Sequence, residues 1–238
     1  MSSEKRPAPR AATEETKNQI KAAAQMLFAL RGVDAVTVQE IVDAAGQRNN
    51  AALHYHFGTK DELIRQMVVD GAMVLDTRRR EMLDEMEKRG GPATIREVIL
   101  VLIMPVIELG ADERWRGYVR FTSHLQAYDP RALRDALNNR WNASYVECFN
   151  HLKRMLPLPA AIVEQRLPIL TIYANAVLSA HEAASESRNT KSSRLWGQPF
   201  TIENIVDMLE AAITCPPSQA TLQTAMAEMS TSRQQRPR

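Results

Sequence analysis

Apolar residues return at every third or fourth position along most of this chain, and stretches of alternating β-branched residues are absent. That period is helical. Ile20, Ala24, Leu27 and Phe28 share one face of a first helix from Thr13 to Leu30, which Gly32 ends. Thr37 starts a second helix with Glu40 as its capping-box partner; Val38, Ile41, Val42 and Ala45 form its apolar face, and Gly46 stops it. A short third helix is predicted over Asn50–His56. Thr59, with Glu62 three residues on, caps a long fourth helix that runs to Lys88 before Gly90-Gly91-Pro92. Larger helices are predicted at Thr94–Leu109, Asp112–Ala127, Pro130–Leu156, Ala160–Ser187 and Thr201–Thr214, with kinks at Pro105 and Pro168. The chain therefore reads as all-α. Residues 1–12 are expected to be a flexible basic arm and residues 216–238 a loose tail with one marginal helix near Thr221 to Met229.

Composition narrows the function. The 238 residues are 45% hydrophobic and carry a net charge of +2. That is enough apolar material for one or two domains with a sizeable core. A near-neutral chain has no polybasic coat, so any nucleic-acid site must come from local clustering and helix N-termini. The two cysteines, Cys148 and Cys215, build neither a disulfide framework nor a four-cysteine zinc site. The amino-terminal stretch has no apolar signal segment, and the longest apolar run, Val98 to Ile107, is far short of the roughly 20 residues that span a bilayer. A cytoplasmic protein with no membrane partner is the expectation.

The segment Val36 to Lys60 carries the most specific chemistry. It is a capped helix, a glycine turn and a second short helix that opens with Arg48, Asn49 and Asn50. Arginine suits guanine edges and asparagine suits adenine. His54 and Tyr55 offer donors to phosphate oxygens, and small Ala51 and Ala52 permit close approach to a groove. The helix starts at Thr37 and Thr59 can each face a phosphate, with Lys60 adding charge. This is a helix-turn-helix with a placed recognition helix. His54 and His56 point away from each other on a helix and cannot share a metal ion, so none is expected.

Thr-Val-x-x-Ile-x-x-Ala-Ala-Gly at Thr37 to Gly46, followed by His-Tyr-His-Phe-Gly-Thr-Lys at His54 to Lys60, resembles the tetracycline-repressor (TetR) family of bacterial regulators. The resemblance spans about residues 13–70. It implies that Thr37 sits at a phosphate-contacting helix start and that Lys60 matches the family's phosphate-binding lysine. His54 takes a position usually held by tyrosine. The interval from Gly46 to Phe57 is one residue longer than the commonest family pattern, which leaves open which of Arg48, Asn49 and Asn50 reads a base. With Gln39 on the second helix, the expected DNA-facing set is Thr37, Gln39, Arg48, Asn49, Asn50, His54, Tyr55 and Lys60. The head would be residues 13–58, a three-helix helix-turn-helix domain. Residues 59–215 would be a helical ligand-binding and dimerisation domain.

Within that larger domain Tyr118, Phe121, Leu125 and Tyr128 line one helical stripe with His124 beside it, and Trp141, Tyr145 and Phe149 line another. With Met104 next to Pro105 they either pack an ordinary core or enclose an apolar cavity. The resemblance implies a cavity there, for a small apolar or amphipathic effector. Leu170, Ala174, Val177, Leu178 and His181, together with Ile205 and Leu209, mark small and apolar faces on the last two large helices. These faces either pack inside one chain or join two, and the resemblance implies that they pair two chains into a homodimer. Arg78-Arg79-Arg80 reads as a solvated face. No nucleotide loop, nucleophile motif or catalytic carboxylate pair is evident, and no enzyme activity or cofactor is expected. The reading is a repressor that holds a palindromic double-stranded operator until an effector releases it. The alternative is an all-α small-molecule carrier or enzyme with an incidental helix-turn-helix.

Overall fold

A computed structural model describes residues 9–138, 140–186 and 191–234. Among these residues there are twelve α-helices and no strand. The head contains α1 (Pro9–Arg31), α2 (Val38–Ala44) and α3 (Ala51–Phe57), and α4 (Lys60–Glu87) leads out of it. The body contains α5 (Ile95–Ala111), α6 (Tyr118–Tyr128), α7 (Pro130–Leu137), α8 (Ala143–Met155), α9 (Ala160–Glu186), α10 (Lys191–Trp196) and α11 (Thr201–Thr214). The final helix is α12 (Gln219–Gln234).

The threonines set the early boundaries. Thr37 and Thr94 close full capping boxes with Glu40 and Glu97, and Thr59 accepts from the Glu62 amide. Two long predicted helices are in fact broken. The Asp112–Ala127 stretch becomes a 3-10 turn at Glu113–Trp115 and then α6, because Gly117 takes a left-handed conformation at φ 84°. The Pro130–Leu156 stretch divides into α7 and α8, because Asn138 turns left-handed at φ 42°. Helix α1 begins at Pro9, inside the expected arm, whose first eight residues lie outside the described ones. Helix α12 is longer than the marginal helix expected in the tail.

Two cores result. The first joins Ile20, Ala24, Phe28, Ile41, Val42, Leu53 and Phe57 of the head to Leu63, Met67 and Val68 of α4. It continues without a break into Tyr118, Phe121 and Leu125 of α6. The second lies among α4, α5, α8, α9 and α11, around Leu83, Ile99, Ile103, Leu152, Leu167, Leu178 and Leu209. Apolar burial therefore welds α6 to the head, although α6 lies well beyond it in sequence.

Candidate DNA-binding head and effector region

Helix α3 buries Leu53 and Phe57 and turns its other face outward. Ala51, His54 and Tyr55 form that outer face, with Tyr55 80% exposed, and Arg48 and Asn49 in the turn before the helix are exposed beside it. Gly46 takes φ 68° to turn the chain between α2 and α3, a conformation that costs a side chain energy. The asparagines serve the turn in different ways. Asn49 Oδ1 accepts from the Ala51 amide at 3.0 Å, whereas Asn50 Oδ1 is buried without a partner. His54 Nδ1 lies 2.7 Å from the Gly58 carbonyl and so helps to close the end of α3. Its ring is held by that contact, with the other nitrogen free to face outward.

On α2, the Thr37 hydroxyl accepts from the Glu40 amide at 3.3 Å and donates to Glu40 Oε2 at 2.8 Å. Arg31 joins the same knot, donating to Glu40 Oε1 at 2.8 Å and to the Ala35 carbonyl at 2.6 Å. The Thr37 amide, the Thr37 hydroxyl and Arg31 together hold the Glu40 carboxyl down at about 2. Gln39 is exposed and donates to Asp43 Oδ1 at 2.8 Å.

Lys60 departs from the expectation. Its ammonium points into the head and donates to the carbonyls of Val33 and Val36, each at 2.7 Å, above the ring of Phe28. The loop between α1 and α2 has carbonyls that no helix satisfies, and a cation supplies the donors. Lys60 is thus a clamp on this turn in the structure.

The nine residues expected around one ligand cavity do not converge. Tyr118 and Phe121 pack into the head core; Phe121 stacks on Phe28 at 5.6 Å, and Tyr118 Oη donates to the Val68 carbonyl at 3.0 Å. His124, Leu125 and Tyr128 line a cleft of about 790 Å³ at the seam between head and body, with Tyr128 stacked on His124 and 79% exposed. Tyr145 and Phe149 line a separate chamber of about 50 Å³ between α4, α5, α8 and α9. Met104 and Trp141 line neither of these spaces. The correction follows from the break at Gly117, which turns α6 toward α1 instead of toward α8.

The chamber contains a residue that the sequence hid. The sequence places Arg79 in solvent with Arg78 and Arg80. Those two pair with Glu108 and Glu147, but the Arg79 side chain is buried. It sits where Ala72, Leu75, Leu83 and Met86 place the inner face of α4, so helical spacing was the available signal. Beside it Cys148 is a buried thiol, pushed up to about 12 by desolvation and therefore a poor nucleophile.

A cavity of about 110 Å³ lies next to the chamber and is lined by His181, Glu182 and Ser185. Glu182 of α9 accepts from the amides of Val119 and Arg120 at 3.2 and 3.0 Å, at the start of α6, and from Arg120 Nε at 3.2 Å. Burial raises the Glu182 carboxyl above its ordinary value, against the opposing pull of these donors. Arg120 also pairs with Glu186 at 2.5 Å. Glu87, Glu147 and His151 bring three potential metal-ligand atoms within 4.8 Å of one another, a grouping the sequence did not suggest. Arg154 lies 3.0 Å from His151 Nδ1 and Arg80 lies 2.7 Å from Glu147, so guanidinium groups already occupy two of the three residues.

The residues expected at a chain–chain interface are largely internal. Leu170, Leu178, Ile205 and Leu209 are buried in the second core, Ala174 and Val177 are half-buried against it, and His181 meets Trp196 edge-on at 6.1 Å. The apolar side chains left outside on this layer are Ile169, Ile172, Leu195, Phe200 and Met208. The exposed face is therefore rotated from the expected one, by close to half a turn on α9 and about a quarter-turn on α11, because α5 and α8 cover the positions first chosen. Among the described residues no helix is long and apolar enough to cross a membrane.

The family model for bacterial regulatory proteins of the tetR family matches residues 20–67. No curated protein matches the chain. Several solved structures share its fold. AmtR of Mycobacterium smegmatis is 18% identical with a TM-score of 0.53, over 96% of this chain and 98% of that one. The TetR-family regulator PfmR of Thermus thermophilus is 15% identical with a TM-score of 0.50, over 82% of this chain and 96% of that one. The fatty acid degradation regulator FadR of Bacillus halodurans is 14% identical with a TM-score of 0.50, over 87% of this chain and 97% of that one. The matched segment holds the capped α2, the Gly46 turn and the outward face of α3, so residues 20–67 are similar to the tetR family of bacterial regulatory proteins and the chain shares the fold of these solved regulators.

Proposed function

We propose that this chain is a homodimeric transcriptional repressor that is released from a palindromic operator by a small amphipathic effector. The carrying observation is the outward surface formed by the turn before α3 and by α3 itself, which exposes Arg48, Asn49, His54 and Tyr55 while Leu53 and Phe57 anchor the helix from behind. A core-packing helix pair has no use for that arrangement, whereas a major groove does. Two copies of α3 related by a two-fold would enter successive grooves roughly 34–36 Å apart. Pairing through the exposed Ile169, Ile172 and Met208 face of α9 and α11 supplies the two-fold. In this reading Thr37, Gln39 and the start of α2 meet the phosphates, Arg48 and Asn49 read bases, and Lys60 acts through the turn it clamps.

The effector acts by favouring one arrangement of the body helices over another, and α4 carries the change to the head. The test is selection from a random duplex library followed by gel-shift titration. A palindrome bound at nanomolar protein, with a steep salt dependence, is expected. The Arg48→Ala variant should lose preference at one position of each half-site. Binding that is equal for all duplexes, or no binding, refutes the regulator and favours an all-α carrier.

A further inference from the structure

We propose that Arg79 receives the carboxylate of a monoanionic amphipathic effector in the chamber between α4, α5, α8 and α9. This rests on the reading of the body as the effector domain, and it assigns the ligand's chemistry.

Arg79 is 8% exposed as a residue, and among the described residues its guanidinium has no ion pair. One nitrogen donates to the Leu102 carbonyl at 3.0 Å, the Tyr145 ring lies 5.5 Å away, and Nε is buried with no hydrogen-bond partner. An arginine stays charged in a protein, and a buried charge without a counter-ion is costly. Desolvation accordingly shifts Arg79 downward from its ordinary value. Asp76, one turn earlier on α4, is already engaged by the Ser144 amide and hydroxyl. A planar carboxylate is the anion that a guanidinium fork matches best. The larger seam cleft offers no buried group of this kind, since its Arg31 and Arg65 are paired with Glu40 and Glu62 and its Arg131 is exposed to solvent.

The walls define the rest of the molecule. Ile99, Ile103, Val106, Phe149, Leu170 and Leu178 are apolar, and the chamber holds only about 50 Å³. That suits a head group but is below the usual size of a ligand site. The neighbouring cavity of about 110 Å³ shares Val106 and Leu178 as walls. An apolar tail that turns these two side chains aside runs into it. The far wall is Glu182, an acceptor whose oxygens are taken by the Val119 and Arg120 amides and Arg120 Nε, so this end offers a second anionic group no donor from Glu182 and the ligand is assigned a single carboxylate. Leu102 lies beside Pro105, where α5 lacks a backbone donor. A carboxylate on Arg79 competes with the Leu102 carbonyl at this weak turn of α5, and the tail parts α5 from α9.

The experiment uses the full chain with butanoate, octanoate, decanoate, benzoate and phenylacetate, each paired with its alcohol. Thermal midpoints and titrations give affinities, and release of the selected duplex is read in parallel. At least one carboxylate should bind about tenfold or more tightly than its alcohol. Arg79→Met should fold with unchanged or raised stability and erase that preference. Val106→Phe leaves the guanidinium in place and should block octanoate and decanoate. Equal binding of carboxylate and alcohol, no binding of any carboxylate, or a preference that survives Arg79→Met overturns the proposal. A chain that prefers carboxylate through Arg79 yet selects no duplex upholds the receptor and overturns the regulator; selective duplex binding with no carboxylate preference does the reverse.

Discussion

Tyr118 occupies the space that a Cβ on Gly71 would need. Its ring is fixed there by burial and by the hydrogen bond from Oη to the Val68 carbonyl, one turn earlier on α4, so it has no room to withdraw. Gly71→Ala should therefore cost about 1–3 kcal/mol through overpacking, lowering the thermal midpoint by about 2–4 °C per kcal/mol. Calorimetry on the double variant with Tyr118→Leu checks the cause. If the ring is the obstacle, Gly71→Ala costs far less in that background.

Lys60 offers a sharper separation of roles. Lys60→Met takes its donor from the Val36 carbonyl and leaves the Val33 carbonyl only the long 3.4 Å bond from the Val36 amide, so the head should lose about 1–3 kcal/mol. DNA affinity should fall for every sequence while the slope of log affinity against log salt stays fixed. A direct phosphate contact would instead reduce that slope by about one. Gel shifts across a salt series decide between the two.

Acid should loosen the start of α2 and of α4. Glu40 and Glu62 are both lowered from 4.5 to about 2. For Glu40 the Thr37 amide is the largest cause, and for Glu62 it is the Arg65 guanidinium. A carboxyl with a depressed folded pKa contributes stability above its unfolded value and loses it as pH falls through the folded one. Thermal midpoints measured from neutral pH downward should begin to fall near 4.5 and continue toward 2. Glu40→Gln should flatten part of that decline, although both groups are surface-exposed and water screens their contribution.

Charge placed on the exposed layer should break the pairing of chains. Ile172→Glu or Met208→Glu is expected to give a folded monomer by sedimentation, with operator affinity reduced by orders of magnitude. Leu209→Ala should behave differently. That residue is internal, so its loss should lower stability by about 2–5 kcal/mol and leave the monomer–dimer equilibrium of the folded fraction nearly unchanged.

The head was legible because its signals are local. Thr37, Glu40, Gly46 and Thr59 act within one turn of their own helices, and the sequence shows each of them directly. The body was less so. A single glycine at 117 and an asparagine at 138 turned two expected helices into four pieces, and neither residue type forces a break. With α6 turned toward α1, the aromatic stripe that suggested a cavity became part of the head core. Arg79 was masked by the charges on either side of it, and Leu209 by the similarity between a core face and an interface face.

Glu182 ties α9 to the first amides of α6 and, through Arg120, to its flank, while Gln25 of α1 donates to the Arg116 carbonyl at 2.8 Å just ahead of the same helix. Helix α6 is thus bolted end-on to α9 and broadside to α1 and the head core. A twist applied to α9 has a rigid strut along which to travel, and it reaches α1 without descending the length of α4.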